Sequence, residues 1–182
     1  MAIAFDIDEA ITLLRRTPAV LKELLGNLPE KWTHNNEGGD SWSPHQVLGH
    51  LVYGEDADWL GRTKIILDKG TDQVFEPFDR LAQERLYSKT SIEELLTLFE
   101  EKRIQNLKEL ESFGLTESDL EKKGVHPEFW EIELKQMLSA WVVHDMGHIV
   151  QINRTMAKNY VDEVGPWKKY LTVVRSTPAP EE

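Results

Sequence analysis

The chain has 182 residues, with 21 Lys and Arg against 32 Asp and Glu, for a formal charge of −11 at pH 7. Such a balance argues against a nucleic-acid backbone or an anionic membrane surface as partner, and no run of Lys and Arg offsets it. Cysteine is absent, which excludes disulfides, thiolate metal sites and cysteine nucleophiles; 40% hydrophobic and 29% charged residues fit a globular chain long enough for one well-buried domain.

The residues predict helices joined by polar connectors. Ile7, Ile11 and Leu14 form a short lead-in, and Thr17-Pro18 opens a helix from about Thr17 to Gly26 through Leu21, Leu24 and Leu25. The polar stretch 28–40 reads as a loop. Ser43-Pro44 caps and starts a second helix, with Val47, Leu48, Leu51, Val52, Trp59 and Leu60 in period and Gly70 as its stop. Residues 71–88, with Pro77 and several aromatics, read as a loop laid over the core. Ser91-Ile92-Glu93-Glu94 is a capping box for a third helix through Leu95, Leu98, Phe99, Ile104, Leu107 and Leu110, ending near Phe113-Gly114. After a connector with Gly124, His126 and Pro127, a fourth helix spans Leu134–Lys158, its period held by Leu134, Leu138, Trp141, Val142, Asp145, Ile149 and Ile152. Gly165 to Leu171 reads as a short final helix and 176–182 as a frayed tail. No strand-like alternation, repeat, targeting segment or apolar run near the ~20 residues of a membrane span is present. The expectation is a single all-α domain over residues 1–182, a four-helix bundle with its main body at about 8–158, in the cytoplasm.

The chemistry concentrates on the fourth helix, in His144-Asp145-Met146-Gly147-His148. Histidines four apart stand on one helix face, a spacing that suits two ligands for one metal. Both flanks are apolar, and buried imidazoles must satisfy their nitrogens, which a metal does. A third ligand should come from another helix. His50, in Val47-Leu48-Gly49-His50-Leu51, is the best candidate, whereas His34, His45 and His126 read as ordinary surface histidines. Gly147 in mid-helix suits either a close approach at the site or tight helix packing.

Trp42-Ser43-Pro44, the segment around His50, Trp141-Val142-Val143-His144-Asp145-Met146-Gly147-His148-Ile149, Gln151-Ile152 and Val164 to Leu171 together resemble the DinB-like, or YfiT-like, superfamily. The resemblance runs from Thr17-Pro18-Ala19-Val20 to Leu171. It implies an up-down-down-up bundle, often dimeric, with a divalent metal on three histidines, which fall here on His50, His144 and His148. Zinc is the first expectation for the ion and nickel the second. Three histidines leave an open position for water or substrate.

Family members resemble metal-dependent hydrolases, and some relatives use low-molecular-weight thiols in group transfer or isomerisation. Hydrolysis needs a base near the metal. Glu55, on the apolar side of its helix, and Asp145, beside His144, are the candidates. Glu55 otherwise pairs with Arg62 or Arg85, and Asp145 serves as a structural salt bridge. Gln151 and Arg154 face either the cavity or the polar side. The leading expectation is metal-dependent hydrolysis of a small molecule. A thiol-cofactor-dependent transferase, which calls for Arg or Lys at the cavity mouth, and a non-enzymatic metal- or ligand-binding stress module are the alternatives, with a metal-free scaffold behind them.

Overall fold

The structure is a computed structural model that describes residues 3–175; the tail expected at 176–182 lies outside the described residues. Helix α1 (Ile7–Leu14) starts at Asp6, whose carboxylate accepts the Glu9 amide at 2.9 Å, and α2 (Thr17–Leu25) restarts at Pro18. A single turn, α3 (Glu30–Thr33), lies in the expected loop. Ser43 and Gln46 cap α4 (Pro44–Ala57) reciprocally, as the Ser-Pro signal predicts.

The expected second helix is in fact two, because Asp58 leaves helical geometry (φ −121°, ψ −89°) and α5 (Trp59–Lys69) starts after it. No proline or glycine marks that break. Asp58 instead engages Arg62 one turn ahead, Oδ1 to Nε at 2.7 Å. Gly70 ends α5 at φ +59°, a conformation glycine adopts without strain. The stretch 71–88 is not wholly irregular: Ala82–Tyr87 forms α6, packed against α4 where Gly49 lets the helices approach.

Helix α7 (Ile92–Ser112) and the short α8 (Glu117–Leu120) follow, each opened by a capping box. The strand-free expectation needs correction. Lys123–His126 (β1) pairs antiparallel with Trp130–Glu133 (β2), Gly124 opposite Ile132 and His126 opposite Trp130. Four-residue strands with mixed exposure carry too little alternation to be read from sequence. Gly124 is required here, since a Cβ would sit 2.6 Å from Ile66 and 2.8 Å from Phe75. Helix α9 covers Leu134–Lys158, the predicted span, and Gly165–Lys169 and α10 (Thr172–Arg175) form short helical turns at the end of the described residues.

The bundle is made by α1–α2, α4–α5, α7 and α9. Helix α7 packs on α2 and α4, and α9 packs on α1, α4 and α5. Two apolar clusters fill it. One gathers Ile11, Leu14, Trp59, Ile66, Leu107, Leu134 and Trp141; the other gathers Leu21, Leu25, Val47, Leu48, Val52, Leu95, Phe99 and Ile152. On α7 the buried stripe runs Phe99, Arg103, Leu107, Leu110, so an arginine takes a place beside which Ile104 is 58% exposed. Among the described residues no helix is long and apolar enough to cross a membrane.

Candidate metal centre

Helix α4 carries His50 on its buried face among Val47, Leu48, Leu51 and Val52, and α9 presents His144 and His148 one turn apart. The three rings meet through Nε2. His144 Nε2 lies 3.1 Å from His50 Nε2 and 3.0 Å from His148 Nε2, and ligand nitrogens from all three residues fall within 4.8 Å of one another.

Three nitrogens converging in this way cannot satisfy one another. An imidazole nitrogen has either one N–H or one in-plane lone pair, so His144 Nε2 can complete one of its two contacts and not both. A divalent cation accepts all three lone pairs, and the separations approach the roughly 3.3 Å that tetrahedral ligands with Zn–N bonds near 2.05 Å would show. The residues therefore fit a metal. His148 Nδ1 contacts Gln151 Oε1 at 2.8 Å, the outer hydrogen bond that fixes a ligating ring with Nε2 free, whereas Nδ1 of His50 and of His144 are buried without a partner. Burial, helped by the charges of His148 and Arg80, pushes His50 down to about 3. Burial likewise drives His144 well below the ordinary imidazole value, and lowers His148 against the opposing pull of Gln151 and Asp145. The rings are thus held neutral, the form a metal requires.

Next to this cluster is a second polar centre. Arg103 donates to Glu55 Oε1 from Nε at 3.0 Å and Nη2 at 2.8 Å, to Asp145 from Nη1 at 2.6 Å and Nη2 at 3.1 Å, and to the Leu14 carbonyl at 2.9 Å. Asn106 Nδ2 completes Glu55 with bonds to its backbone oxygen and Oε2. Phe99 and Trp141 lie under the guanidinium, one from each apolar cluster. Glu55 thus pairs with Arg103, not with Arg62 or Arg85, and Asp145 shares the same guanidinium. Burial pushes the Glu55 carboxyl up while Arg103 draws it back. Neither carboxylate lines the cavity that opens on the histidines.

That cavity measures about 970 Å³ and is bounded by α4, α5, α9, the 71–88 segment and the β1–β2 turn. Two other carboxylates line it, the exposed Glu128 on the β1–β2 turn and Asp58 at the α4–α5 break; burial raises Asp58 to about 6 even though Arg62 opposes the shift. Trp59, the next residue, stands edge-on to His144 with ring centroids 5.1 Å apart and stacks on Trp141. Sequence gives no reason to single out Asp58, since its role follows from a helix break that no residue type marks. Arg103 was open to discovery as a charge in an apolar stripe.

His126 also lines the cavity, and is no ordinary surface histidine. Its Nδ1 accepts the amides of Glu128 (3.1 Å) and Phe129 (3.3 Å), so its proton in the neutral form resides on Nε2. His45 is buried with Nε2 on the Thr90 carbonyl at 2.7 Å, and His34 stacks on it; both stand away from the histidine trio. Gln151 and Arg154 face the cavity, where Arg154 is held by Glu37 at 2.7 Å. A Cβ on Gly147 would meet nothing within 4 Å, so neither packing nor a close approach demands glycine there.

YfiT from Bacillus subtilis, described as a probable metal-dependent hydrolase with an unusual four-helix bundle topology, superposes with a TM-score of 0.73 at 23% identity over 87% of this chain and 90% of its own. TT2238, a four-helix bundle protein, gives 0.55 at 24% identity over 81% of this chain and 98% of its own. No curated protein matches the chain in sequence. The pattern of the DinB superfamily, however, matches residues 13–152, which hold the histidine trio and the bundle that presents it, and the chain belongs to that superfamily.

Proposed function

We propose that the protein is a metal-dependent hydrolase of a small molecule, with a divalent ion, zinc first and nickel second, on His50, His144 and His148. The observation that carries this reading is the convergence of three neutral Nε2 atoms on one side of a 970 Å³ cavity. A bound ion would supply Lewis acidity at its open position. The chain's own part is to hold the imidazoles neutral, to fix His148 through Gln151, and to exclude bulk water with Trp42, Trp59 and Phe78. Asp58 is the proton acceptor in this reading, a carboxylate poised near neutrality and steadied by Arg62. Glu55 and Asp145 act through Arg103, placing the helices that carry the ligands. The proposal includes one domain over the chain, a homodimer, a cytoplasmic location and, given the charge of −11, no nucleic-acid or membrane partner.

The test is elemental analysis of untagged protein purified without chelators or nickel columns, beside His148→Ala. About one equivalent of zinc or nickel in the wild type, lost in the variant, is the expected result, followed by a screen of ester and amide substrates. No metal in the wild type after dialysis against zinc would remove the proposal. In the substrate assay Asp58→Asn is expected to lower kcat by about 10²–10⁴-fold at unchanged zinc content. Wild-type activity should rise with pH through about 6, as the carboxylate loses its proton.

A further inference from the structure

The cavity's polar groups divide sharply by what they already bond. Three arginines and two carboxylates line it. Arg62 is spent on Asp58 and the Glu76 carbonyl, and Arg154 on Glu37. Arg80 has no acceptor among the described residues, although it lies near enough to His50 to disfavour a positive charge there.

The neutral groups tell the same story. His126 has used its acceptor nitrogen on two backbone amides, which leaves an Nε2–H directed elsewhere. Gln151 has used its oxygen on His148 Nδ1, and Gln136 has used its oxygen on the Glu133 amide at 2.9 Å. Each keeps an NH₂ group that makes no hydrogen bond among the described residues, while its oxygen already accepts one. Of the two carboxylates, Asp58 is held by Arg62, while Glu128 stands exposed on the β1–β2 turn with its side chain unbonded among the described residues; beside that one free anion the wall offers several spare donors, Arg80 the full cation among them.

Beside them is apolar surface that the fold leaves open. Phe129 is 65% exposed and Leu81 52% exposed, and the Phe129 ring lies parallel to His126 with centroids 4.5 Å apart. Both side chains line the same cavity.

We propose that the cavity takes a small molecule bearing an oxyanion group, a carboxylate or a phosphoryl group, on an apolar body, with Arg80 and the Nε2–H of His126 binding the oxyanion. This rests on the reading of the cavity as the reaction site and adds the substrate's chemical class to it. Arginine suits the task because its planar fork of donors matches either oxyanion, and such charge-assisted bonds exceed neutral ones in strength. The apolar body then lies over Phe129 and Leu81.

Calorimetric titration with hydrocinnamate and its uncharged amide tests this, on zinc-dialysed wild type, chelator-stripped wild type and zinc-dialysed Arg80→Gln, with zinc content measured in each. The acid is expected to bind the wild type about tenfold tighter than the amide. That preference should survive zinc removal in part and vanish in Arg80→Gln at unchanged zinc content. Phenyl phosphate in place of the acid separates the two oxyanions by which binds tighter. Equal affinity for acid and amide in wild type, or no binding of either, overturns the proposal. So does a preference that persists in Arg80→Gln and vanishes with the metal, since the ion alone would then read the charge. Should the wild type hold no zinc yet keep an Arg80-dependent preference, the metal reading fails and this one stands.

Discussion

Two polar centres occupy adjacent positions on α9, at His144 and Asp145, and are built on opposite plans. Around Arg103 nearly every donor meets an acceptor, two rings cover the guanidinium, and the group is shut off from the cavity. Around His144 two ring nitrogens have no partner, three others face one another without mutual satisfaction, and the group opens on a large cavity. A buried polar cluster that is complete within the chain serves the fold. One that is incomplete awaits something from outside it.

The largest effect should come from breaking the complete centre. Arg103→Ala strands two buried carboxylates and is expected to cost about 3–5 kcal/mol in urea denaturation. The triple replacement Arg103→Met, Glu55→Leu, Asp145→Leu should recover most of that stability, because buried ion networks are often matched by apolar groups of similar volume. Its zinc affinity should not recover, since nothing then ties α4 to α9 at a fixed offset. A triple variant with wild-type zinc affinity would reduce the network to filler.

At the incomplete centre, Gln151→Ala removes the partner of His148 Nδ1 and should weaken zinc binding by about 10–100-fold with little change in the metal-free melting temperature. A smaller but more diagnostic effect concerns protons. The folded chain holds all three imidazoles below their ordinary value, so the metal-free protein keeps this part of its stability above about pH 6.5 and loses it as pH falls toward the folded values, near 3 for His50. By the same sign, zinc binding near pH 6 should release fewer protons from the ligands than the roughly two that three ordinary histidines would release. Calorimetry in buffers of different ionisation enthalpy measures this, and a release of two would mark the rings as ordinary. The smallest change is expected at Gly147→Ala. With open space at its Cβ, the substitution should be neutral or stabilise by up to about 1 kcal/mol, with zinc binding intact.

Sequence and structure agree best where one local pattern decides the outcome. The caps at Ser43 and Ser91 start the helices they predict, and Leu134–Lys158 is helical throughout. His50, His144 and His148 stand out because each interrupts an apolar run. What stays hidden in the sequence depends on contacts distant along the chain. Arg103 is recognisable as the partner of Glu55 and Asp145 only once α4, α7 and α9 are assembled. Asp58 enters the cavity through a helix break without Pro or Gly, and His126 acquires its tautomer from amides in a turn whose strands are four residues long. The exposed Ile104 beside buried Arg103 shows the limit of periodicity: hydrophobicity alone put the wrong one of two neighbours inside.

The Arg103 tie also divides the labour of change. It fixes His50 and His144 through the bundle helices, while much of the cavity wall comes from connectors: the 71–88 segment with Phe78, Arg80 and Leu81, and the β1–β2 turn with His126 and Phe129. Those connectors can be lengthened, recharged or reshaped without moving any of the three histidines. The shape and charge of the cavity can therefore be altered by rewriting two loops, while the three histidines and the helices that carry them are left as they are.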